Sequence, residues 1–102
     1  IEFDPVRANE QGGVRPAIVL SSDALNRSPV GLVAVVPLTS RLRQIPLHVL
    51  IDPPEGGLRV RSEALCEHLR IVTRERLRER WGAVTPETLD AVGDRVRVLL
   101  GL

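Results

Sequence analysis

A chain of 102 residues buries roughly 60–70% of its unfolded surface on folding, which predicts one domain over residues 1–102 and excludes a second. Fourteen basic against thirteen acidic residues give a net charge of +1, too little for a sequence-independent coat on nucleic acid, whose affinity comes from counterion release at many phosphates. A lone cysteine, Cys66, excludes an internal disulfide, and with two histidines it makes too small a set for structural zinc.

No apolar run approaches the ~18 residues of a membrane span and no signal peptide is visible, so the expected setting is a reducing cytoplasm with no membrane partner. All fourteen bases are arginine. Codon bias in a GC-rich genome accounts for that, and so does phosphate recognition, which guanidinium forks suit better than ammonium groups.

In chain order, Ile1-Glu2-Phe3-Asp4 reads as a strand whose start lies before Ile1 and which Pro5 ends. Val6 to Gly13 is polar and closes on Gly12-Gly13, predicting a long, mobile surface loop. Val14 to Leu20 is apolar and β-branched, too short for a typical helix, and predicts a buried strand with Pro16 near its start. Ser22 to Asn26 predicts one helical turn capped by Ser21 or Ser22. Leu32 to Leu38 is a second apolar strand and Leu47 to Ile51 a third, followed by the turn Asp52-Pro53-Pro54-Glu55-Gly56-Gly57. Ala64 to Val72 predicts a further strand, Thr73 the cap of a short helix over 74–78, and Trp81 to Val84 a last strand. The clearest helix follows: Thr85 caps it, Pro86 takes the first position, Leu89, Val92, Val96, Leu99 and Leu100 form its apolar stripe, and Gly101 stops it. The elements predict a mostly-β chain (α+β class), a small antiparallel barrel or strongly curved sheet with one C-terminal helix on its side.

Most enzyme classes lack their residues here. Glycine-rich nucleotide loops, an HExxH motif, a Ser/His/Asp signature and a cysteine-hydrolase pattern are all missing, and no cofactor or metal site is expected. His48 and His68 read as surface or packing histidines rather than general bases. What remains is Glu10-Gln11-Gly12-Gly13-Val14-Arg15-Pro16, Ser21, and Pro37-Leu38-Thr39-Ser40-Arg41. If the strands 14–20 and 32–38 are antiparallel neighbours, Arg15 and Thr39 share one rim of the barrel. On these residues alone, Arg15 is as well explained by a surface ion pair as by catalysis.

The block EQGG-x-RPA at 10–17, running on to Ser21, with Asn26, Val36-Pro37-Leu38-Thr39-Ser40, Leu47-His48-Val49, Glu67-His68-Leu69-Arg70, Leu77 and the closing helix, resembles the MazF/PemK family of toxin endoribonucleases. The resemblance covers essentially the whole chain, Phe3-Asp4-Pro5 included. It implies an SH3-like barrel with added helices, a homodimer, and metal-independent cleavage of single-stranded RNA by 2′-hydroxyl attack. The family's catalytic arginine and threonine fall on Arg15 and Thr39. Gln11, Ser40, Glu10 and Ser21 fall near the substrate, and Arg41 and Arg43, beside the Thr39 turn, are expected to meet flanking phosphates. Dependence on the 2′-hydroxyl implies blindness to DNA.

Two positions depart from the family pattern. His68 stands where glutamine is frequent, and Ile45-Pro46-Leu47 lacks the frequent Pro-Phe, an aromatic suited to stacking a base. The resemblance also implies a MazE-like antitoxin whose acidic, disordered tail folds along a basic and apolar groove. The densest positive stretch is Arg70, Arg74, Arg76, Arg78 and Arg80, read either as part of that groove or as a solvated helix face. Two other functions use the same fold: a toxin that poisons DNA gyrase by protein binding, against which the missing Trp-Gly-Ile tail and the contexts of Arg15 and Thr39 argue, and a non-catalytic binding module.

Overall fold

Strand β3 (Leu32–Thr39) explains the architecture, because both of its faces are covered. The computed structural model describes residues 5–10 and 13–102, so the strand expected at Ile1 to Asp4 lies outside them. Successive side chains of β3 point to opposite faces. Val36 and Leu38 join one core with Ile18, Val49, Ile51, Ala64, Val92 and Val96, while Val33 and Val35 join a second with Ala17, Val19 and Val72. A strand buried on both sides reads as a continuous apolar run, as 32–38 does. Full burial of each such valine or isoleucine contributes about 1.5–3 kcal/mol.

β2 (Gly13–Val19) pairs antiparallel with β3, Ala17 opposite Pro37 and Val19 opposite Val35. Pro16, without an amide hydrogen, lies just outside that register. Ser22 caps the short α1 (Asp23–Asn26), its Oγ accepting from the Leu25 amide. Beyond β2 lies β1 (Pro5–Glu10), Ala8 opposite Arg15 and Glu10 opposite Gly13. The segment read as a long loop from Val6 is therefore mostly strand. Its composition has little β-propensity, but β2 on one side and β7 (Leu77–Arg80) on the other supply its backbone partners, and that pairing overrides local preference.

The same override corrects the helix expected over 74–78. Only Arg74–Arg76 forms a 3₁₀ turn, without a side-chain cap from Thr73, and the chain continues as β7 against β1. Trp81 to Val84, expected as a strand, follows β7 without joining a ladder. The strand expected over 64–72 is divided into β5 (Ser62–Leu65) and β6 (Arg70–Thr73) by a 3₁₀ turn, Cys66–His68. Both pieces use the same edge of β3, β6 against Leu32–Val35 and β5 against Leu38 and Thr39, and the turn lets one segment serve both. β4 (His48–Ile51) pairs with β5. Among the described residues, all seven strands pair antiparallel along the path β4-β5-β3-β2-β1-β7, with β6 also on β3 and no ladder joining the ends, so the curved sheet is not closed.

Helix α2 (Pro86–Leu100) begins and ends as its sequence dictates. Thr85 Oγ1 accepts from the Thr88 amide at 3.1 Å, and Gly101 adopts φ 72°, closing the helix in the left-handed region. Val92 and Val96 are buried against the sheet, but Leu99 and Leu100 remain 43% and 55% exposed. Fifteen helical residues are longer than β4 and the Cys66–His68 turn on which they pack. Gly93 faces open space within this helix. Gly93→Ala should therefore raise stability by about 0.5–1 kcal/mol in a denaturant titration, alanine being the better helix former. A loss of stability would mean that the space is occupied.

Candidate functional site

The β2–β3 register, extended two residues beyond Ala17 and Pro37, sets Arg15 opposite Thr39 at one end of the sheet. Both line a cleft of about 700 Å³ together with Ser40, and the chain returns three times to complete it. Gly57 to Val60, β5 through Ser62, and Glu79 to Trp81 form the remaining wall. Arg15, Arg59 and Arg80 set three guanidinium groups in this wall against the single carboxylate of Glu79. Glu79 accepts from Trp81 Nε1–H at 2.9 Å. Among the described residues Arg15 is exposed and makes no ion pair. Arg15 lines the cleft, and none of the acids among the described residues holds its fork.

Thr39 is half-buried, and its Oγ1 accepts from the Arg41 amide at 3.1 Å, a local turn that orients the hydroxyl and leaves its proton to donate. Thr39 also borders a second cavity of about 250 Å³, shared with Arg41, Arg43, His48, Glu67 and His68. The structure thus groups Arg15, Thr39 and Ser40 in one cleft, with Arg41 and Arg43 on the adjoining rim. Ser21 is not brought there. It lies past the opposite end of β2, where its Oγ donates to Asn26 and accepts from the Ala34 amide at 3.0 Å, joining β2 to β3. The backbone of Glu10 ends β1, and Gln11 lies outside the described residues.

Sequence reasoning missed Arg59 and Trp81, which reach the cleft through strand order that no local pattern reports; Arg80, from the basic stretch read as either groove or solvated helix face, also lines it. It also missed the cluster around His48. That imidazole is buried, with Nδ1 2.8 Å from Glu63 Oε1 and Nε2 2.8 Å from Glu67 Oε2. Carboxylates on both ring nitrogens require two N–H donors, so both contacts are made as hydrogen bonds only by the imidazolium form, which this setting favours. Burial opposes that charge, but hydrogen bonds and attraction from Glu67 and Glu63 outweigh it and raise the His48 pKa. Glu63 is lowered chiefly by the amide of Arg43, with Gln44 and His48 adding to it against desolvation. For Glu67 desolvation is the largest influence, and the His48 bond, with further help, overcomes it to lower the pKa. Burial pushes the Cys66 thiol up to about 11, so it is an inert core group.

These shifts fix a pH dependence of stability. The raised His48 contributes fully below its ordinary 6.5 and loses that contribution as pH climbs through its folded value. The lowered glutamates contribute fully above 4.5 and lose it as pH falls through theirs. The cluster should therefore stabilise most between about pH 4.5 and 6.5. Melting temperatures across pH should show the gap between wild type and His48→Gln widest there; a gap independent of pH would contradict the assignment.

An antiparallel curved sheet with one long packed helix and an arginine-lined cleft where β2 starts and β3 ends defines a small α+β domain with a basic cleft at one end of its sheet. Residues 1–100 match the family model described as PemK-like, MazF-like toxin of type II toxin-antitoxin system, and the chain belongs to that family. It is 33% identical over 102 residues to Endoribonuclease EndoA of Bacillus subtilis (strain 168), covering 99% of this chain and 88% of that protein. It is 32% identical over 107 residues to Endoribonuclease MazF9 of Mycobacterium tuberculosis (strain ATCC 25618 / H37Rv), covering 100% and 91%. Among solved structures, the MazE-MazF (Form-II) crystal structure from Deinococcus radiodurans matches with a TM-score of 0.84 at 32% identity, covering 98% of this chain and 93% of that one. The expected mostly-β fold with a C-terminal helix is met. No helix among the described residues is long and apolar enough to cross a membrane.

Proposed function

We propose that this chain is the toxin of a type II toxin–antitoxin system and acts as a metal-independent, sequence-specific endoribonuclease on single-stranded RNA, arresting translation and growth. The observation that carries the reading is the convergence of Arg15, Thr39 and Ser40 in one arginine-rich cleft, in a chain whose relatives are named endoribonucleases. The 2′-hydroxyl gives up its proton to solvent water as its oxygen attacks the adjacent phosphorus, the bond to the 5′-oxygen breaks, and that oxygen takes a proton, leaving a 2′,3′-cyclic phosphate and a 5′-hydroxyl. Negative charge builds on the non-bridging oxygens, and the Arg15 fork supplies donors for them. A guanidinium holds its protons too tightly to act as a base, so Arg15 serves chiefly as an electrostatic clamp. Thr39 positions the phosphate or the 2′-hydroxyl by hydrogen bond.

Ser40, Arg41 and Arg43, with Arg59 and Arg80, hold flanking phosphates, and Glu10 and Gln11 complete the substrate side. Ser21 belongs to the sheet's framework and not to this set. The family model spans almost the whole sequence, which supports one toxin domain. The functional unit in this reading is a cytoplasmic homodimer, silenced by a MazE-like antitoxin whose acidic tail lies along the arginine-lined surface; the MazE-MazF crystal structure supports such a partner. Purified protein on mixed-sequence RNA in EDTA, beside Thr39→Ala, tests the reading. Cleavage with cyclic-phosphate ends, lost in the variant, is expected. No cleavage of any RNA, with stalling of gyrase instead, would replace it by the protein-binding alternative.

A further inference from the structure

Beside the cleft lies a buried carboxylate that the proposed reaction does not use. Glu63 stands in β5 directly opposite Thr39 of β3 and opposite Leu50 of β4, and it is 2% exposed. Its oxygens are engaged by the loop that follows Thr39. Oε1 accepts from the Arg43 amide at 3.0 Å as well as from His48 Nδ1, and Oε2 accepts from the Gln44 amide at 2.8 Å. Gln44 sits at φ 55°, a left-handed conformation uncommon for a residue other than glycine and kept only where the surroundings enforce it. The side chains of residues 41–46 are exposed, so the loop buries little that would order it. Installing an ionised carboxylate in the interior is costly, and an apolar residue would serve the sheet at position 63 as well or better.

We propose that Glu63 is a positioning residue for RNA cleavage: by holding the Arg43 and Gln44 amides from beneath, it fixes the loop that sets Ser40, Arg41 and Arg43 around Thr39. The inference rests on the proposed function. His48 is part of the same device, since its imidazolium, held at the far side by Glu67, keeps the Glu63 carboxylate ionised and oriented.

Glu63→Gln leaves one acceptor oxygen where three donors converge, and the new amide hydrogens face N–H groups. Wild type, Glu63→Gln, Glu63→Asp and Arg15→Ala are compared on one mixed-sequence RNA below each protein's melting temperature, with amide hydrogen exchange followed in parallel. In Glu63→Gln, exchange should quicken at Arg43 and Gln44 but not in the middle of β3, and kcat should fall about 10- to 100-fold, the scale of a small misplacement of reacting groups, with KM changing less. Glu63→Asp, which keeps the charge and stands in if the glutamine variant does not fold, should fall between. A purely structural role would lower the melting temperature and raise exchange throughout the sheet, leaving kcat intact in the folded fraction. Wild-type kcat and KM in the folded variants overturn the positioning role alone. A wild type that cleaves no RNA overturns the proposed function, and this role with it.

Discussion

Arg15→Ala should cleave mixed-sequence RNA in EDTA with a kcat about 10²- to 10³-fold below wild type, the usual loss when a preorganised donor to a developing oxyanion is removed. The loss should fall on kcat more than on KM, because the fork's contacts strengthen as charge accumulates in the transition state. Its folding should be undisturbed, since the side chain is exposed and forms no ion pair among the described residues. Arg15→Lys should recover only part of the rate, as a point charge cannot donate two parallel hydrogen bonds. Arg59→Ala offers the contrast. Its guanidinium lines the cleft away from the Arg15–Thr39 pair in sequence, and as a phosphate contact its loss should raise KM and flatten the salt dependence of binding by about one unit of slope. The paired kinetics decide the matter: wild-type kcat in Arg15→Ala removes the proposed chemistry.

Gly57→Ala should melt roughly 10–25 °C below wild type, the largest stability effect expected from a single methyl group in this protein. Gly57 has φ +74°, and an added Cβ would stand 2.3 Å from the carbonyl oxygen of Trp81 and 2.9 Å from its carbon. The left-handed conformation alone costs an L-residue about 1–2 kcal/mol. Backbone atoms cannot rotate aside as a side chain does, so the contact must be relieved by moving the Trp81 segment. Together these amount to on the order of 3 kcal/mol, and each kcal/mol lowers the melting temperature of a domain this size by about 4–8 °C. Gly57 and Trp81 both line the cleft, so RNA cleavage by the folded fraction should fall as well. Thermal unfolding followed by circular dichroism measures the first effect, and an unchanged melting temperature would show that the close approach is not there.

Local chemistry made several features legible in advance. The runs at 17–20 and 32–38 announce strands because both faces are buried. Thr85-Pro86 announces the start of α2 because the cap and the missing amide act within one turn. The placing of Arg15 near Thr39 needed one assumption, that consecutive apolar strands pair, and the register Ala17 to Pro37 satisfies it. Errors gathered where a polar stretch becomes a strand because neighbours complete its hydrogen bonds: Pro5–Glu10 against β2 and β7, and Leu77–Arg80 against β1. Nothing in the composition of either segment carries that information.

The sequence by itself determined the strands with two buried faces, the capped helix, the arginine-rich character and the family. Tertiary structure alone decided that Arg59, Arg80 and Trp81 meet Arg15, and that His48 lies between Glu63 and Glu67. The difference is one of range. Propensity, capping and periodicity act over a few residues, whereas a cleft or a buried ion cluster depends on which strands lie side by side and in what register, and that is settled only when the whole sheet forms.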